Sequence, residues 1–122
     1  MTQEQYKSMI AMLITATLSK KLTWEENEGT FSTSVNGCGI RLWSSYDYSI
    51  DTSSYTLQLS NCEAVVFETF TYSENVNVEE YQQLNNLYNS IRDVNYKISE
   101  SEKCILDALK ELTKPDDDDL PF

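Results

Sequence analysis

The chain has 122 residues, 40% of them apolar, and a formal net charge of −11 from 20 acids and 9 bases, with no histidine. That length fits one domain with a modest core of its own, needing neither disulfide nor metal. The charge disfavours a surface that tracks phosphates with clustered Lys and Arg, and the lack of histidine removes Ser-His and Cys-His nucleophile pairs and His-based metal centres.

The opening stretch "TQEQYKSMIAMLITATLSKKL" reads as a helix. Thr2 and Gln5 have capping-box spacing. Tyr6, Met9, Ile10, Leu13 and Thr17 fall on one face, and the Lys20–Lys21 pair suits the negative end of the helix dipole. The start lacks the positive charge of a secretory signal, and the run "MIAMLI" is too short to span a bilayer, so a cytoplasmic protein with no membrane association is expected.

From Leu22 the period changes to two. Asn36-Gly37 predicts a type I′ turn. Pairing Val35 with Cys38 across it sets Thr33 opposite Ile40 and Phe31 opposite Leu42. A four-residue loop, Glu26 to Gly29, would then set Trp24 opposite Phe31. The other face carries Ser32, Ser34, Arg41 and Trp43, so Trp43 is expected to be either covered or exposed for contact. "YTLQLS" and "AVVFETF" continue as two more strands joined by "NCE", which gives a five-stranded meander. Between the third and fourth strands, "SSYDYSIDTSS" reads as a polar loop. It is either plainly solvated or an adaptable contact surface anchored by aromatic residues, with Trp43, Tyr46 and Tyr48 as a possible secondary contact surface.

After Tyr72 the helical period returns. Asn77 and Glu80 have N-cap and N3 spacing, and Leu84, Leu87, Ile91, Val94 and Ile98 form an apolar stripe. Ser99 and Glu102 repeat the capping signal for a last helix with Ile105, Ala108, Leu109 and Leu112, ended near Lys114 by Pro115. The fold class is therefore α+β: an N-terminal helix, a five-stranded antiparallel meander, and two C-terminal helices packed on one face. Residues 1–114 form the domain and residues 115–122 a mobile acidic tail.

No nucleotide-binding or nucleophile-elbow motif is present. Glu25, Glu26 and Glu28, and the pair Glu79 and Glu80, sit at a turn and a helix start, where solvated acids belong. The three cysteines, Cys38, Cys62 and Cys104, lack C-x-x-C spacing and are expected as buried reduced thiols. The expectation is a non-enzymatic protein with no cofactor and no metal.

The sequence closes on "TKPDDDDLPF". Four aspartates repel one another and favour an extended segment. Leu120, Pro121 and Phe122 then present an apolar tip, in which Pro121 reduces the ordering entropy lost on binding. An apolar pocket beside an arginine would hold the Phe122 ring and a terminal carboxylate together. Asp116, Asp117, Asp118, Asp119, Leu120, Pro121 and Phe122 closely resemble the C-terminal tip of bacterial single-stranded DNA-binding proteins, which end in an acidic run, an aliphatic residue, Pro and Phe. The resemblance covers these seven residues only. It implies docking on genome-maintenance proteins of helicase, exonuclease, primosome or clamp-loader type, in a bacterial or phage setting. The body does not share that family's oligonucleotide-binding barrel or its Gly/Pro/Gln-rich linker. Two functions are expected: an interaction protein acting through its tip, either as accessory factor or as competitor, or a divergent single-stranded DNA-binding protein in which Trp43 and the tyrosines stack bases. The acidic body, −7 once the four tail aspartates are set aside (16 acids against 9 bases), disfavours direct nucleic-acid binding.

Overall fold

The computed structural model describes residues 1–115. Its first element, α1 (Gln3–Leu18), starts from the expected capping box: Gln5 N–H donates to Thr2 Oγ1 at 3.1 Å and Thr2 N–H donates to Gln5 Oε1 at 2.8 Å. Tyr6, Ile10, Leu13 and Thr17 are buried along one face. The helix stops earlier than the lysine pair suggested. Lys20 takes a left-handed φ of 62°, and Lys21 and Leu22 N–H both donate to Ala16 O, so the lysines lie beyond the last turn.

The sheet runs β1 (Glu25–Asn27), β2 (Thr30–Val35), β3 (Cys38–Asp47), β4 (Thr52–Ser60) and β5 (Val66–Ser73), each strand antiparallel to the next in chain order. Asn36 and Gly37 both have positive φ, as a type I′ turn requires, and the register Val35↔Cys38, Thr33↔Ile40, Phe31↔Leu42 is as expected. The first hairpin differs. Glu28 and Gly29 form a two-residue turn of the same kind, so Glu26 rather than Trp24 faces Phe31. A slip of two residues preserves the face, and Trp24 stays in the core. Its Nε1–H donates to Thr17 Oγ1 at 2.9 Å, which fastens the sheet's leading edge to α1.

The expected loop after Trp43 is instead a strand hairpin. Ser44↔Tyr55, Ser45↔Ser54, Tyr46↔Ser53 and Asp47↔Thr52 pair, leaving only residues 48–51 as a turn. Asp47 shapes that turn by accepting from Ser49 N–H and Oγ, bonds that hold its carboxyl below the usual carboxylate range. Serines and threonines dominate both strands here, so no apolar alternation marked them as strand.

The core face carries Phe31, Ile40, Leu42, Tyr55, Leu57 and Leu59, with Phe70 and Tyr72 at its margin. Two helices cover it: α1, and α2 (Val78–Tyr96), which buries Leu84, Leu87 and Ile91 completely. Asn77 precedes α2 but makes no side-chain cap. Glu80 instead accepts from Gln3 Nε2 at 2.8 Å, and Glu79 pairs with Lys7 at 2.8 Å, tying the two helices at their N-terminal ends. The last helix, α3 (Ile98–Thr113), follows after the single residue Lys97, which is left-handed at φ 52°. Ser99 is not its cap; both its N–H and its Oγ donate back to Asp93. The two C-terminal helices are thus present, but only α2 packs on the sheet. No residue of α3 is buried.

Candidate functional site

The tip residues Asp116 to Phe122 lie outside the described residues. The described chain ends at Pro115, after the exposed C-terminal turn of α3. The expected secondary surface can be placed in full. Along β3, Ile40 and Leu42 point to the core face, so strand alternation sets Tyr46 on that side and Arg41 and Trp43 on the other. Trp43 is half-buried opposite Thr56, with the Arg41 guanidinium 5.8 Å from its ring centre. Tyr46 and Tyr48 meet edge to face at 4.8 Å on the exposed hairpin tip. The three aromatics therefore do not form one platform. Beside Trp43 and Arg41 this uncovered face is hydroxyl-rich: Ser54 bonds Ser73 at 2.9 Å, and Thr56 bonds Thr71 at 3.1 Å.

Two apolar surfaces were not expected from the sequence. The first is a groove of about 560 Å³ between α1 and the adjoining sheet end, lined among others by Met9, Met12, Val35, Ile40, Leu59 and Phe67, with Lys21 the only charged residue in its lining. Two sequence signals pointed to it. Met12 and Ala16 widen the apolar stripe of α1 beyond what the core uses, and the unbroken run Val65-Val66-Phe67 violates alternation. The latter sits at a bulge, where Leu59↔Glu68 is followed by Ser60↔Val66, and all three side chains are exposed.

The second is α3 itself. Ile105, Leu106, Leu109 and Leu112 are between 49% and 80% exposed, and Ala108 is exposed among them. The predicted periodicity is real, but no part of the sheet covers it.

Among the described residues, the clustered glutamates singled out in the sequence lie mainly at the surface, with Glu79 exposed and Glu80 half-buried at the start of α2. Glu25, Glu26 and Glu28 are exposed around the first hairpin. Burial pushes the Tyr55 phenol up to about 12, where it donates to Asn85 Oδ1 at 2.7 Å, and pushes Tyr6 higher still. All three cysteines are free and exposed, contrary to the expectation of buried thiols. Cys38 flanks a turn, Cys62 lies in the β4–β5 link, and Cys104 is on the uncovered helix. Among the described residues no group of three or more Cys, Asp or Glu could hold a metal ion, and no helix is long and apolar enough to cross a membrane. Comparison with protein-family profiles, curated proteins and solved structures found no match.

Proposed function

We propose that this is a non-enzymatic interaction protein whose DDDDLPF tip docks on genome-maintenance proteins that read the tail of single-stranded DNA-binding proteins. The single observation that carries the reading is the tip itself, which follows that family's pattern at all seven positions, Asp116 to Phe122. In this reading the Phe122 ring enters an apolar pocket, its carboxylate is free and meets a basic residue, and the aspartates speed encounter with a positive rim. Either role fits this chemistry: an accessory factor recruited to replication or repair sites, or a phage or mobile-element competitor that occupies the same pockets.

The test is a titration of a tail-binding helicase or exonuclease with the full chain, with Phe122→Ala, and with a chain extended by a few residues past Phe122. Truncating a buried aromatic anchor costs about 2 kcal/mol, roughly thirtyfold in Kd. Moving the carboxylate should be as damaging. Equal affinity for all three would remove the tip as the recognition element.

A second reading, direct binding of single-stranded DNA, has one observation in its favour: Arg41 over Trp43 on an uncovered sheet face. Against it stand the body's net negative charge and the placement of Tyr46 on the opposite face.

A further inference from the structure

The groove beside α1 and the stripe on α3 are both apolar, both exposed, and belong to one chain. We propose that they are the two halves of one interface: the α3 stripe of one copy lies in the groove of a second copy, reciprocally, in a two-fold exchange dimer. This inference does not depend on what the tip binds.

Three features select a second copy as the occupant. The first is charge. Among the described residues, neither Lys21, alone in the groove lining, nor Glu102 has an oppositely charged group within 4 Å. Helical spacing places Glu102 beside Ile105, Leu106 and Leu109, which makes it the acid within the stripe. The two surfaces are otherwise neutral, so each carries the one charge that the other lacks. A surface of phosphates or anionic lipid would instead meet a chain of net charge −11.

The second feature is position. Leu22 lines the groove on one side and, on the other, a cleft shared with Lys97, Ser99 and Glu100 at the root of α3. Lys20 Nζ holds that root through Glu100 at 3.5 Å. At about 1.5 Å per residue, Ile105 to Leu112 lie roughly 10–21 Å along the helix from Ile98. A chain's own stripe is exposed, and no α3 residue lines its own groove. A partner's α3, running antiparallel, would place its stripe there, and a groove beside the root of an outgoing arm is the geometry that lets two arms cross about a two-fold axis.

The third is area. Four substantially exposed aliphatic side chains approach the ~400 Å² above which an apolar patch marks an interaction site. A stable interface needs about 800 Å² per partner. One stripe alone falls short of that. A stripe and a groove used together on every copy double the contact and leave neither surface exposed.

The experiment is sedimentation of the full chain over a concentration series, with Leu109→Glu in the stripe and Met12→Glu in the groove. Both side chains are exposed, and circular dichroism checks that each variant folds. Wild type should reach twice its 14.1 kDa mass, with association strengthening as added salt screens the charge on the two copies. Each variant alone should shift the equilibrium towards monomer by at least tenfold. Mild thiol oxidation of a Cys62→Ser background should join Cys104, at the stripe's margin, to Cys38 of the second copy, in the groove lining. A wild-type chain that stays monomeric overturns the proposal, as does a dimer indifferent to Met12→Glu. A Cys104–Cys104 product overturns it in favour of stripe-on-stripe pairing.

Discussion

The bond between Trp24 and Thr17 links the sheet to α1, and Lys21 and Leu22, in the segment between them, line the groove. Thr17→Val tests what it contributes. The substitution keeps the side chain's shape and removes the hydroxyl, which accepts from Trp24 Nε1–H at 2.9 Å and donates to Leu13 O at 2.6 Å. Leu13 O is also the i−4 acceptor within the helix, so losing the second bond costs little. The indole N–H has no other acceptor among the described residues, and Trp24 is 5% exposed. A buried donor left unpaired costs about 1–3 kcal/mol. For a domain of this size that is about 4 °C of thermal midpoint per kcal/mol. Thr17→Val should therefore lower the midpoint by about 8 °C for a loss of about 2 kcal/mol. Trp24→Phe removes the donor and some ring volume. The double variant should be less destabilised than the sum of the two, with a coupling of about 1 kcal/mol or more. Urea unfolding followed by far-ultraviolet circular dichroism measures all four corners of the cycle. A Thr17→Val chain within about 0.5 kcal/mol of wild type, with no coupling, would refute the assignment of this bond as the fastening of α1 to the sheet.

A chain ended after Ser101 should lose no more than about 1 kcal/mol when compared at concentrations where both chains are monomeric, because the buried residues end at Ile91; a larger loss would mean that α3 packs on its own domain. At high pH stability should fall. Tyr55 and Tyr6 have folded pKa values raised above the unfolded value near 10, so their contribution is full below about pH 10 and is lost as pH rises through about 12 and beyond. Tyrosinate absorbance should accordingly rise in two stages, the second coinciding with unfolding, and a single smooth titration of all eight phenols in the folded chain would count against this. Single-stranded DNA should bind weakly even at low salt, because few phosphates can be neutralised; submicromolar binding with a steep salt slope, weakened by Trp43→Ala by roughly 1–3 kcal/mol, would establish the second reading instead.

Where the sequence carried a complete local signal, the fold was legible in it. Asn36-Gly37 dictated a turn, the turn dictated a register, and the register put Phe31, Leu42 and Ile40 on one face, as found. Glu28-Gly29 encodes the same turn less plainly, because a glutamate at positive φ is uncommon. The hairpin through Tyr46 and Ser53 was invisible because hydroxyl side chains serve a strand and a loop equally well. Trp43 and Tyr46 were close in sequence and of the same chemistry, yet a separation of three residues on a strand puts them on opposite faces. That separation was legible once the strand was known to continue. The groove was the least legible element, because it forms where one side of α1 meets the ends of β2, β3 and β4 and the β5 bulge, and no single stretch encodes it.

The last helix shows most clearly what periodicity can and cannot tell. An apolar face at helical spacing proves that a face is meant to be covered, and says nothing about what covers it. Among the described residues after Tyr96, only Ile98 is even half-buried. Deleting the apolar character of α3 would thus cost this monomer almost no core, while keeping it costs solubility. A pattern that costs solubility and adds nothing to the packing of the described residues is the ground on which the stripe was proposed to meet a second copy. The tip raises a parallel question from sequence alone, where Leu120, Pro121 and Phe122 follow a run of charge that solubility alone would favour. On the two proposals made above, the chain beyond Tyr96 would carry both outside contacts, α3 for a second copy and the tip for the partner, and a dimer would pair two tips on one particle and raise their joint avidity for a multi-site target.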